Sequence, residues 1–269
     1  MKKQQQQKGF TLVELAIVLT IIGLLIGGIL KGQQLMQNAR VTATMAQVNA
    51  IEAATTTFRD TYNAMPGDMV AADTRVPNCA NCALAVAATA GDGSVGASAW
   101  PVLAPQQLNN NNAIGAPVTA EPILFWAELA QAGLLSGITN DGITNGNPAT
   151  FGTSLPSARV GGGWLVGNSN GAQAQAGVRP AAAGNLSMVG TILTLVATPA
   201  GLTGGIGGQV MIPTTAAQMD RKMDDGVPST GFTQAYGLTA SCFAGAAPAF
   251  TYLEATTSKD CGLIFRIQG

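Results

Sequence analysis

An apolar run near the N-terminus constrains this chain more than any other feature of its sequence. In residues 10–30 nearly every side chain is aliphatic or small, and Glu14 is the one ionisable residue among them. About twenty residues at ~1.5 Å each give a helix of roughly 30 Å, which matches the hydrocarbon core of a bilayer. The run therefore predicts a membrane-spanning helix that carries one carboxylate near its start.

The residues before the run indicate how this helix is oriented. Three lysines lie within the first eight residues, and basic residues beside a span favour the cytoplasmic side. A removable signal peptide starts in a similar way, but a small-residue cleavage site follows its apolar stretch. Ala39 lies too far downstream for that role, so the sequence favours a retained anchor over a removed signal.

The remaining composition allows one substantial globular domain and argues against several functions. The chain has 269 residues, a net charge of -1 and no histidine. Without histidine it lacks the usual general base and the commonest zinc ligand. No basic stripe suggests a nucleic-acid partner. The letters G-x-S-x-G at residues 167–171 have no histidine to complete a nucleophile site, and we expect no enzyme activity and no cofactor.

An apolar stripe continues beyond the membrane segment at helical spacing. Its members follow one another at intervals of three or four residues, with Thr55 filling one step: Val41, Met45, Val48, Ile51, Phe58 and Tyr62. The pattern predicts one helix over residues 10 to about 63, amphipathic in its second half and ended by Pro66 and Gly67.

The residues Gly9-Phe10-Thr11-Leu12-Val13-Glu14 resemble the processing site of type IV pilins and type II secretion pseudopilins. The resemblance implies that a prepilin peptidase and N-methyltransferase cuts between Gly9 and Phe10 and methylates Phe10. It also implies that Glu14 pairs with the N-terminal amine of a neighbouring subunit. The implied domains are a leader (1–9), a transmembrane and assembly spine (10–65) and an exported head (66–269).

For the whole chain, the resemblance implies an α+β fold: a long helical spine packed on a globular head with an antiparallel β-sheet and long loops. The implied partners are the inner membrane and copies of the chain, or other pilins and pseudopilins, in a helical filament. The head would be periplasmic before assembly and would then belong to a pilus or pseudopilus, with cell-surface exposure as one option.

Short stretches of the head also resemble longer pilin-like proteins, namely residues 62–68, 125–134 and 220–226. Locally, Glu121-Pro122 is a good helix start and Gly133 a plausible stop, with Trp126 and Leu129 facing the core. Apolar segments predict strands at residues 163–166, 189–196, 209–212 and 263–267. The intervening residues of 83–120 and 156–208 are expected to form extended loops.

The four cysteines are expected to pair as Cys79–Cys82 and Cys242–Cys261. The second pair resembles the disulfide near the C-terminus of many pilins. For the first pair, a small structural loop is favoured over a redox motif or a zinc site, because the expected sequence context of both is missing. Disulfides imply an oxidising compartment.

An acidic cluster, Asp220, Asp224 and Asp225, offers the hard oxygen ligands that calcium prefers, but it lacks the spacing of a calcium loop. A solvated helix end with Gly226 as its cap is favoured, and no metal is expected, although a calcium site stays open.

Two functions remain: a structural filament subunit of a pilus or secretion pseudopilus, or a membrane-anchored or filament-tip adhesin or binding protein that acts without polymerisation. An anchored hydrolase is a distant third.

Overall fold

The computed structural model describes residues 11–80, 82, 91–95, 121–138, 150–170, 188–198, 209–237, 241–246 and 249–267. Within these ranges the chain forms four helices and six strands, which confirms the predicted α+β class. The helices are α1 (Leu12–Tyr62), α2 (Ala72–Arg75), α3 (Glu121–Gln131) and α4 (Pro213–Met223). The strands are β1 (Gly163–Asn170), β2 (Val189–Val196), β3 (Thr233–Gly237), β4 (Phe243–Ala246), β5 (Ala249–Tyr252) and β6 (Cys261–Arg266).

Contacts divide the chain into an N-terminal unit, Met1–Arg40, and a C-terminal unit, Val41–Gly269. The predicted domain boundaries at residues 9 and 65 stay predictions. Most of the predicted loop 83–120 lies outside the described residues, which include only residues 91–95 of it.

The end of α1 is an asparagine cap. Asn63 has a φ of 51°, and its N–H donates to the Arg59 carbonyl at 2.8 Å. A left-handed residue directly after a helix satisfies carbonyls that the helix leaves open. The helix therefore ends before Pro66 and Gly67, which begin the following turn.

In the C-terminal unit, α1 buries one face in the core. Its buried residues follow the predicted stripe, to which Thr44 and Ala54 are added: Val41, Thr44, Val48, Ile51, Ala54, Thr55 and Phe58. Met45 and Tyr62 are partly buried and pack against the same core. The helical spacing of the stripe thus predicted the packed face correctly.

Polar contacts fasten this part of α1 to a loop before β1. The Gln47 side-chain amide donates to the Ser157 carbonyl at 3.1 Å and accepts from the Arg159 N–H at 3.2 Å. The Thr44 hydroxyl accepts from the Val160 N–H at 3.2 Å. These bonds satisfy backbone groups of the loop that no strand pairs.

The main sheet has the order β1-β2-β6-β3, with every neighbouring pair antiparallel. β2 has the predicted bounds, β1 extends beyond the predicted residue 166, and β6 covers most of 263–267. Trp164 on β1 meets Phe265 on β6 edge to face, with ring centroids 5.7 Å apart. Both rings are buried, and they join non-adjacent strands through the core.

The predicted strand at 209–212 is wrong. There the chain makes a single bridge, from Met211 to Cys261. Pro213 then occupies the first turn of α4, where its fixed φ favours a helix start. The apolar segment is therefore too short to pair further with β6. A separate hairpin, β4–β5, forms the second sheet.

Candidate functional site

The predicted cleavage residues, Gly9 and Phe10, lie outside the described residues. The third predicted residue, Glu14, lies in the first turn of α1. Its carboxylate accepts from the Thr11 N–H at 2.9 Å and from the Thr11 hydroxyl at 2.8 Å. In return, the Glu14 N–H donates to the Thr11 hydroxyl oxygen at 3.3 Å.

This exchange is a capping box, in which two residues at a helix start satisfy each other's backbone donors. Thr11 is a site residue that the sequence analysis missed. The signal was present, because Ser or Thr followed three residues later by an acid, ahead of an apolar run, is the pattern of this motif. The box gives the Glu14 carboxylate hydrogen-bond donors within its own chain, but no positive charge.

The surface of α1 is apolar and uncovered along residues 12–30. Every described residue of the N-terminal unit is exposed, including Leu12 at 87% and Leu24 at 79%. Among the described residues, α1 is the helix that is long and apolar enough to cross a membrane. A signal sequence meets the same criterion of length and composition. A continuous apolar surface of this size requires a membrane or a partner.

Four glycines interrupt that surface: Gly23, Gly27, Gly28 and Gly32. A Cβ added at any of them would meet nothing within 4 Å, so no contact within the chain requires a glycine there. Each glycine lowers helix stability by roughly 1 kcal/mol relative to alanine. Glycines at this spacing permit close approach of another helix.

The four cysteines are paired in the structure as Cys79–Cys82 and Cys242–Cys261. Their Cα atoms are 5.2 and 5.0 Å apart, respectively. All four side chains are buried. Cys242 precedes β4 and Cys261 begins β6, so the second disulfide joins the small hairpin to the main sheet.

The turn after α1 is built around two buried carboxylates. The Gly67 N–H donates to Glu128 of α3 at 2.7 Å. Asp68 accepts three backbone N–H groups, from Gly91 at 2.6 Å, Asp92 at 3.1 Å and Gly93 at 2.8 Å. Each residue of the Gly67-Asp68 pair thus anchors a different segment, which gives this short motif a structural role.

Gly67 also needs to be glycine. Its φ is +83°, and a Cβ there would lie 2.3 Å from the Glu121 carbonyl oxygen of α3.

Burial is the main cause that raises the pKa of Glu128 to about 8. The Gly67 N–H opposes this rise and the nearby Asp68 charge adds to it. Burial likewise raises the pKa of Asp68.

The expectation of a solvated helix end is wrong for Asp220, which is 0% exposed, whereas Asp224 is half-buried and Asp225 is exposed. One Asp220 oxygen accepts from the Tyr252 hydroxyl at 2.7 Å, and burial raises the pKa of Asp220 to about 7. Helix periodicity explains the error: Ala216, Ala217 and Asp220 lie on the face of α4 that is buried. Gly226 does have a positive φ, of 76°.

Carboxylate oxygens of Asp220, Asp224 and Asp225 lie within 4.8 Å of one another. Protein donors already reach all three side chains. Asp224 accepts from the Thr233 N–H at 2.9 Å and Asp225 from the Val227 N–H at 2.8 Å. The other Asp220 oxygen is buried without a hydrogen-bond partner in the described part of the chain, and the expectation of no metal stays a prediction.

Residues 4–30 match the family model described as "Prokaryotic N-terminal methylation motif". Neither the curated proteins nor the solved structures include a significant match to the chain. The motif implies processing by a prepilin peptidase and indicates a structural subunit rather than an enzyme. With the apolar N-terminal helix, it fits membrane anchoring and pilus-type assembly. Over residues 4–30, the chain therefore carries the signature of type IV pilins and pseudopilins.

Proposed function

We propose that the chain is a structural pilin-like subunit. A prepilin peptidase cuts it between Gly9 and Phe10, and it polymerises through its N-terminal helix into a type IV pilus or a type II secretion pseudopilus. The observation that carries the proposal is the methylation motif at residues 4–30. The proposal includes both machines because they share this signature.

The uncovered surface of α1 supports polymerisation. Its apolar side chains are exposed along residues 12–36. Before assembly, the lipid of the inner membrane covers them. In a filament, the same helices of neighbouring subunits would cover one another. The glycines of this segment, Gly23 to Gly32, leave room for such an approach.

Glu14 has a defined role in this scheme. An ionised carboxylate inside hydrocarbon costs several kcal/mol unless a positive charge lies nearby. In one chain, Thr11 supplies hydrogen bonds to Glu14 but no charge. Cleavage before Phe10 creates an amine, and the amine of a neighbouring subunit offers the missing charge. The pairing would fix the register between adjacent subunits.

The disulfides support export of the C-terminal unit. Two buried disulfides are typical of a protein that folds in an oxidising compartment. A cytoplasmic N-terminus, favoured by the basic leader, places the rest of the chain in the periplasm. The proposed location is therefore the inner membrane first and the filament afterwards.

Mass spectrometry of the mature N-terminus tests the proposal. In cells with a prepilin peptidase, we expect a chain that begins at Phe10 and carries one methyl group. Gly9→Val should block the cut, whereas Gly28→Ala, a matched change within the apolar segment, should leave it intact. An intact Met1 in wild-type protein, or a cut after residue 30, would contradict the proposal.

A further inference from the structure

The C-terminal unit contains a cavity of about 770 Å³ beside the end of α1. Three arginines from three different elements line it: Arg59 from α1, Arg75 from α2 and Arg266 from β6. A cavity of this volume is within the range of small-molecule sites. The fold therefore brings together, in one concave place, cations that are far apart in sequence.

The concentration of charge there is unusual for this chain. Beyond residue 40, the sequence has eight lysines and arginines, and three of them line this cavity. Asp68 is the acid that lines it among the described residues. Both Asp68 oxygens already accept backbone N–H groups from Gly91, Asp92 and Gly93, so this carboxylate is held by the turn while the cavity keeps a net positive charge.

Two of the arginines also serve the helix end. Arg59 lies in the last turn of α1, and Arg75 donates to the Tyr62 carbonyl. Cations are favourable at a helix C-terminus, so these two positions have a structural explanation. Each guanidinium nevertheless has five N–H donors, and one contact to a carbonyl leaves most of them available.

Arg266 is not at a helix end, and among the described residues its guanidinium contacts an aromatic ring. It lies on β6, its guanidinium is 5.8 Å from the centre of the Phe232 ring, and its buried Nε has no hydrogen-bond partner in the described part of the chain. By contrast, Arg221 pairs with Glu254. A buried donor without an acceptor is unfavourable, and an anion in the cavity would remove that cost.

The uncharged lining indicates what else the ligand carries. Asn63, Asn168 and Thr191 also line the cavity, and amide and hydroxyl side chains suit ring hydroxyls. Val70 and Val189 contribute apolar surface and are 55% and 59% exposed. Within the described C-terminal unit, the other large exposed apolar side chain is Phe232, beside Arg266.

We propose that this cavity binds an acidic sugar, that is, a hydroxyl-rich ring that bears a carboxylate or phosphate group. The planar guanidinium fork matches both oxyanions, the amides match hydroxyls, and the valines match the apolar face of a sugar ring. A nucleic acid fits less well, because its backbone needs an extended basic surface and the chain has a net charge of -1.

Calorimetric titration of the full chain in detergent tests this site. The probes are a galacturonic acid trimer, glucose 6-phosphate, the neutral sugar maltotriose and a short DNA duplex. We expect at least one acidic sugar to bind, more weakly at higher salt, and maltotriose not to bind. Comparison of the galacturonic acid trimer with glucose 6-phosphate shows whether the cavity prefers a carboxylate or a phosphate group.

Two single substitutions and one control locate the binding. Arg266→Gln and Arg59→Gln should each weaken binding about ten- to hundredfold, the expected loss for a hydrogen bond to a charged group. Arg159→Gln, an exposed arginine outside the cavity, should leave affinity unchanged. If Arg266→Gln lowers the melting temperature, its loss of binding has a second explanation, and the result for Arg59→Gln is used instead. The Arg59 side chain is exposed, so we expect its substitution to leave the fold intact.

The proposal is overturned by failure of both acidic sugars to bind, by equal binding of maltotriose, or by binding of DNA alone. An equal loss in Arg159→Gln also overturns it. The test is independent of filament formation, because the cavity shares no residue with the assembly motif at residues 4–30.

Discussion

The two parts of α1 belong to one continuous helix but meet opposite surroundings. Residues 11–40 are exposed all round, whereas residues 41–62 bury one face in a core that includes Phe58 and Trp164. Helix propensity does not separate the two parts, since both are helical. The difference lies in the pattern of apolar residues, which surround the helix along residues 12–30 and form a stripe along residues 41–62.

This contrast separates a unit with its own buried core from a helix segment without one. The C-terminal unit has a buried core, two disulfides and a hydrogen-bonded sheet. The N-terminal unit has an apolar surface that the described chain does not cover. An apolar surface of this size needs a membrane or neighbouring helices to cover it, and the methylation motif at residues 4–30 fits membrane anchoring and pilus-type assembly.

The largest expected difference between the two parts of α1 is the loss of stability when one large side chain in each part is truncated to alanine. Phe58 is fully buried and Leu24 is 79% exposed. Phe58→Ala should lower the free energy of unfolding of the C-terminal unit by about 3–5 kcal/mol, and Leu24→Ala by less than about 0.5 kcal/mol. Denaturant unfolding of both full-length variants in one detergent measures this. Equal losses would contradict the division.

The second comparison concerns the two disulfides. Cys242 and Cys261 are 19 residues apart and Cys79 and Cys82 only three, so loss of the longer loop should release more chain entropy on unfolding. We expect a loss of about 3 kcal/mol for the double alanine variant at 242 and 261, and about 1.5 kcal/mol at 79 and 82. Unfolding under non-reducing conditions measures both; the reverse order would refute the loop-length explanation.

The third comparison concerns the buried Glu128, whose pKa of about 8 lies above its ordinary value of 4.5. Between these values the folded protein keeps a proton that the unfolded chain releases. The free energy of unfolding therefore falls as pH rises, by up to about 1.4 kcal/mol per pH unit. The stabilisation is fully present below pH 4.5 and lost above about pH 8.

Glu128→Gln should make this slope smaller and keep an acceptor for the Gly67 N–H, while the raised pKa of Asp220, about 7, leaves a slope of the same sign. Denaturant unfolding at about pH 5.5 and about pH 7.5 measures the slope. Glu52→Gln, at a half-buried position on α1, is the matched control and should keep the wild-type slope. If the Glu128→Gln protein keeps the wild-type slope, Glu128 does not titrate in this pH range and the explanation is wrong.

Elements with strong local signals could be predicted from sequence. The stripe from Val41 to Phe58 predicted the packed face of α1, and β2 has the predicted bounds Val189–Val196. The Thr11–Glu14 box is equally local, yet the family resemblance explains Glu14 by assembly alone and gives Thr11 no role.

Prediction from the sequence fails where contacts with residues far apart in the chain determine the structure. Residues 209–212 look like a strand, yet they form only the Met211–Cys261 bridge and a Val210 N–H bond to the Cys261 carbonyl, because Pro213 starts a helix. Asp220 looks solvated in an acidic segment, but Tyr252 lies against it in the fold. The arginine cavity joins residues 59, 75 and 266, and no sequence spacing relates them.

The most direct test of the central claim is the amount of filament formed by Glu14 variants. The claim is that neighbouring subunits complete the N-terminal unit and that Glu14 sets their docking. Glu14→Ala should abolish incorporation into filaments while the C-terminal unit keeps its wild-type unfolding free energy. Glu14→Gln, which keeps the hydrogen-bond acceptor but not the charge, should also fail. Incorporation of either variant at the wild-type level would contradict the claim.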